Sequence, residues 1–108
     1  MPLFQIDNYK IIYYSPCHDE NYLSTAARIT LYRGQAPVGD LFFIKDEEPM
    51  PPRNLPLSPF RIYFPLSHFD TIMSILRNEK PLYANITSTG YAYIGTTQYE
   101  PVGEEEGV

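Results

Sequence analysis

Proline occurs eleven times in this chain of 108 residues, about twice the ordinary rate of roughly 5%. Each proline lacks a backbone N–H and fixes φ, so this density opposes long helices and favours short strands bounded by stiff loops. One helix is still expected, over 67–78. Phe69, Ile72, Met73 and Leu76 fall at the i, i+3, i+4, i+7 spacing of a single buried stripe. Ser67 is the expected N-cap and Asp70 its capping-box partner. Arg77 suits the negative end of the helix dipole, and Pro81 prevents continuation.

The rest of the chain reads as strands. "YKIIYY" (9–14), "STAARITLYR" (24–33), "DLFFIK" (40–45) and "FRIYF" (60–64) are β-branched or aromatic runs. In the second, Ala27, Ile29 and Leu31 face one way, and Arg28, Thr30 and Tyr32 the other. Leu41 to Ile44 are continuously apolar, which predicts burial on both faces. Residues 46–59 hold five prolines and form a long, stiff loop of a length that is often functional.

A hairpin ends the series. In "LYANITSTGYAYIGT" (82–96), a three-residue loop Ser88–Thr89–Gly90 with Gly90 at positive φ pairs Thr87 with Tyr91, Asn85 with Tyr93 and Tyr83 with Gly95. Leu82, Ala84, Ile86, Ala92 and Ile94 then share one wholly apolar face. A two-residue turn would mix the faces.

These elements predict an α+β domain over residues 1–99: a mostly antiparallel, curved sheet of about six strands, with one helix on its apolar face after the fourth strand. Such a helix covers only part of a six-stranded sheet, so either the sheet curls on itself or a second copy buries the remainder. A homodimer is therefore expected.

Charge is unevenly placed. The net charge is −5, and Glu100, Glu104, Glu105 and Glu106 supply most of it from an acidic, flexible tail over 100–108. The body is nearly neutral, which disfavours polyanion binding. Cys17 is the one cysteine, so neither a disulfide framework nor a multi-thiolate zinc site is expected. The first residues lack the pattern of a signal peptide, and no apolar run approaches 18 residues. A cytoplasmic protein that does not enter the membrane is expected.

Chemistry has few candidates. "SPCHDEN" gathers Cys17, His18, Asp19 and Glu20, but neighbours along an extended segment point in opposite directions and converge poorly on one ion or one bond. The segment reads as a solvated turn. Asp46, Glu47 and Glu48 read as a wet rim beside prolines. No phosphate loop, nucleophile elbow, zinc-helix or calcium-loop pattern occurs. No cofactor or metal is expected, and the balance leans against an enzyme. A small-molecule or enzymatic site under the 46–59 loop is the third reading.

Aromatic residues, ten Tyr and six Phe without Trp, form the strongest constellation. Alternation gathers Arg28, Tyr32, Arg61, Tyr63, Tyr83, Asn85, Tyr91 and Tyr93 as a binding face. Tyr and Arg are enriched at interface hot spots, so self-association or a protein partner is the first reading. Rings interleaved with arginines also suit single-stranded nucleic acid, the alternative. Over residues 9–78 the order of strands followed by a helix resembles single-stranded-DNA-binding transcriptional cofactors of the Whirly type. That resemblance implies a sheet that receives single-stranded DNA.

Overall fold

The computed structural model describes residues 3–15, 25–56, 59–79 and 81–96. Seven strands and one helix follow in the order β1 (Leu3–Ile6), β2 (Asn8–Tyr13), β3 (Thr25–Arg33), β4 (Ala36–Ile44), β5 (Phe60–Pro65), α1 (Phe69–Asn78), β6 (Leu82–Ile86) and β7 (Ala92–Gly95). The class is the expected α+β, with two sheets in place of one: β1-β6-β7 and β2-β3-β4-β5. Strand β1 was not foreseen, so the helix follows the fifth strand rather than the fourth. "LFQI" is too short for its alternation to register in sequence. The Cys17 segment and the 100–108 tail lie outside the described residues.

One residue carries the chain between the sheets. Asp7 separates β1 from β2, donates its N–H to the Tyr32 carbonyl (2.8 Å) and accepts the Gly34 N–H at its carboxylate (2.9 Å). Gly34, at φ +63°, makes the β3–β4 turn. The sheets and the helix enclose one core: Ile29, Leu31, Leu41, Phe43 and Phe60 from the larger sheet, Leu82, Ala84 and Ile86 from β6, and Ile72, Met73 and Leu76 from the helix. Most of the apolar surface is thus covered within the chain, because the strands split into two sheets that share this core. Phe4 and Phe60 join them, ring centroids 5.2 Å apart. Gly39 lies beside Phe60 in the register, and the ring occupies the space a Cβ on Gly39 would need.

The hairpin has the expected register. Asn85 faces Tyr93 and Tyr83 faces Gly95. The Thr87 N–H bonds the Tyr91 carbonyl at 2.8 Å, and Gly90 is at φ +96°. The helix has its expected buried stripe but a different start. A 3-10 turn over Leu66–His68 precedes it, His68 takes the cap position, and no side chain caps either. Ser67 is inside that turn, so the capping box with Asp70 is not formed.

Strands β4 and β5 run parallel. A parallel pair cannot be joined by a tight turn and needs a crossover of a dozen or more residues. The proline-rich stretch 46–59 is that crossover, which gives its length a topological cause. Among the described residues, no helix is long and apolar enough to cross a membrane.

Candidate functional site

Two cross-strand rows organise the outer face of the four-stranded sheet. Arg28, Phe42 and Tyr63 are successive partners in one row; Thr30, Asp40 and Arg61 form the next. Phe42 is the hub. Tyr63 stacks on it at 5.6 Å and 22°. The guanidinium groups of Arg28 and Arg61 lie 5.9 and 5.5 Å from its ring centroid. Asp40 accepts the Thr30 hydroxyl at 2.7 Å and pairs with Arg28 Nε at 3.4 Å. Arg28, Arg61 and Tyr63 are therefore brought together. Tyr32 is one row further, beyond a bulge, opposite Asn8 and Pro37. Phe42 was missed because the run Leu41–Ile44 reads as buried on both faces, whereas Phe42 is only half-buried.

Of the other four residues, Tyr83, Asn85 and Tyr93 belong to the three-stranded sheet, and Tyr91 is in the loop that leads into β7. Tyr91 and Tyr93 are exposed, with ring centroids 6.2 Å apart. Tyr83 is half-buried. Asn85 is only 2% exposed and its Oδ1 has no hydrogen-bond partner, so it is not presented to a ligand. Its strand is the central one, flanked by β1 and β7, and central positions are the first to be covered. The eight residues thus occupy two sheets rather than one continuous face.

The two sets meet at a seam made by the crossover. Leu55 exchanges backbone hydrogen bonds with Arg61, both 2.9 Å, on the outer edge of β5. The Asn54 side chain accepts the Tyr63 N–H at 2.9 Å and donates to the Gly90 carbonyl at 2.8 Å. Arg53 Nη2 donates to the Ser88 carbonyl at 3.2 Å. One segment therefore closes the β5 edge and anchors the β6–β7 loop. Above it opens a groove of about 420 Å³, walled by Pro51, Pro52 and Arg53 on one side and by Tyr63 and Tyr91 on the others. Sequence reasoning missed Asn54, since only a long-range contact marks it.

Asp46 and Glu47 are exposed at the start of the crossover. Among the described residues, no three His, Cys, Asp or Glu side chains converge as a metal site would require. No protein-family model, curated protein or solved structure matches the chain.

Proposed function

We propose that this protein is a non-enzymatic binding module that takes an extended segment of a protein partner in the groove between Tyr63 and Tyr91. The observation that carries the reading is the convergence of these two tyrosines, from different sheets, on one groove held in place by Asn54. Tyrosines give large contact area for the loss of few rotamers. Proline walls are already rigid, so little ordering is left for the moment of binding. Arg53 adds a polar group able to bond a peptide carbonyl or carboxylate. A single cysteine, which leaves no pair for an internal disulfide, suits a reducing, cytoplasmic setting.

The test is selection of peptides from a displayed random library, followed by nuclear magnetic resonance mapping. Selected peptides are expected to shift the amides of Arg53, Asn54, Tyr63, Gly90 and Tyr91. Tyr91→Ala, on an exposed ring, is expected to weaken them by about 1 kcal/mol or more. Selection that yields no peptide, or peptides mapping elsewhere, would reject the groove.

One observation favours single-stranded nucleic acid as a second reading. Lys10, Arg28 and Arg61 share the outer face of the four-stranded sheet with a single carboxylate, Asp40, around the Phe42 and Tyr63 rings. Fluorescence anisotropy of a labelled oligothymidylate at low salt tests it. The reading requires binding that weakens as salt rises. Against it, Arg28 already serves Asp40 and Phe42.

A further inference from the structure

The two edges of the four-stranded sheet are treated differently. The outer edge of β5 is closed by backbone bonds from Leu55 and by the Asn54 side chain. Among the described residues, nothing pairs with the outer edge of β2, which joins only β3. Unpaired edges are templates for another strand, and proteins that avoid such pairing use charges, prolines or bulges there. Strand β2, "NYKIIY", has no proline and one charge, Lys10. It is also longer than β1 and β7, the four-residue edges of the smaller sheet.

The hydrogen-bond phase of β2 follows from its register. Tyr14 donates to the Ala26 carbonyl at 2.9 Å, which puts the even-numbered residues in bonded pairs with β3. The N–H and C=O groups of Tyr9, Ile11 and Tyr13 therefore point outward. Their side chains share the helix side of the sheet, opposite Leu31, Ile29 and Ala27. Yet Ile11 is 40% and Tyr13 59% exposed, although every partner across β3 is fully buried. Tyr13 meets Phe69 of the helix edge-on at 5.4 Å, while Ile11 is neither in the core nor packed against it.

We propose that β2 pairs antiparallel with β2 of a second copy, centred on Ile11. This register joins Tyr9 to the other copy's Tyr13 and Ile11 to its counterpart, all through outward-pointing backbone groups. It sets Lys10 opposite Ile12. Sliding by one pair toward the N-terminus would oppose Lys10 to itself, and like charges directly opposite are destabilising. The two-fold axis stands normal to the sheet, so the sheet becomes eight strands and both helices lie on one side. The two Ile11 side chains then fill the strip between them. The contact is isologous, self-complementary and closed. It lies on the edge opposite the Tyr63 groove and does not depend on that reading.

Sedimentation velocity across the micromolar range, paired with amide hydrogen exchange, tests the contact. The expected result is a concentration-dependent rise to twice the chain mass. In step with it, exchange at the amides of Tyr9, Ile11 and Tyr13 should slow by about tenfold or more. Ile11→Lys should give a monomer with an unchanged circular dichroism spectrum. Ile11→Pro should do the same, because the N–H it removes does not serve β3. A wild-type protein that stays monomeric through the high-micromolar range overturns the proposal. So does a dimer that survives Ile11→Lys, or one that Tyr91→Ala dissociates, which would place self-association on the tyrosines.

Discussion

Asn54 and Gly90 are 36 positions apart in sequence, yet the Asn54 amide holds the Gly90 carbonyl at 2.8 Å while its oxygen holds the Tyr63 N–H at 2.9 Å. One half-buried side chain thus fastens the loop of the smaller sheet to the edge strand of the larger. Asn54→Ala leaves both backbone groups without their partners. Leaving one buried polar group unsatisfied costs about 1–3 kcal/mol, so denaturant unfolding should show a loss of that size. Asn54→Asp can still accept from Tyr63 but cannot donate to Gly90. It should loosen the β6–β7 loop selectively, seen as faster exchange at the Gly90 and Tyr91 amides. Equal effects of the two substitutions on all amides would refute the clamp.

Gly39 faces the Phe60 ring with no room for a Cβ. Phe60 is itself fully buried and packs against Phe4 with the rings tilted by 43°, so it has nowhere to retreat. Gly39→Ala should destabilise the protein by about 1–3 kcal/mol through overpacking. Phe60→Leu in the same chain should recover part of that loss, because a smaller side chain frees the space. Urea denaturation of the two single variants and the double variant gives the coupling; strictly additive losses would show that the two positions do not compete.

Gly90 combines positive φ, +96°, with a tight approach of the Asn54 carbonyl, 3.3 Å from where a Cβ would sit. Gly90→Ala should cost about 1–2 kcal/mol for the backbone conformation alone. Thermal unfolding should register it. No change in the midpoint would mean that the hairpin can close through another turn.

The hairpin and the helix were legible because their signals are local. Leu82, Ala84, Ile86, Ala92 and Ile94 alternate on both sides of a glycine loop, and only one register keeps them together. Phe69, Ile72, Met73 and Leu76 follow the helix period. What escaped is set by distant partners. Asp7 divides a run of strand between two sheets through its bonds to Tyr32 and Gly34. Phe42 became the hub of a face only when β3 and β5 came to lie on either side of it. The tyrosines alternate as expected, but their division between two sheets depends on that same non-local pairing.

Ser67 marks where a local signal misled. The sequence pattern assigns it the N-cap, where replacement by Ala costs about 1 kcal/mol. In the structure it is exposed within the 3-10 turn and caps nothing. The turn begins earlier than that pattern has it: Pro65, at φ −64° and ψ 150°, takes the cap position and Leu66 follows directly as the first residue of the turn. Ser67→Ala should therefore change stability by no more than about 0.5 kcal/mol. A loss near the full capping value would restore the capping box.

The Phe42 cluster separates ring contacts from charge. Arg61 is exposed and lies over a half-buried ring, a setting in which a cation–π contact contributes about 0.5–1 kcal/mol. Arg61→Ala should remove that amount. Phe42→Leu should remove more, because the stack with Tyr63 at 5.6 Å goes with it. Both single variants lose the Arg61–Phe42 contact, so the double variant should lose less than the sum, by about the cation–π energy. Raising the ionic strength should leave most of this coupling intact, because it depends on a ring quadrupole at close range rather than on a distant charge. A coupling that disappears in high salt would mean that Arg61 is held instead by the carboxylate of Asp40, its partner in its own row.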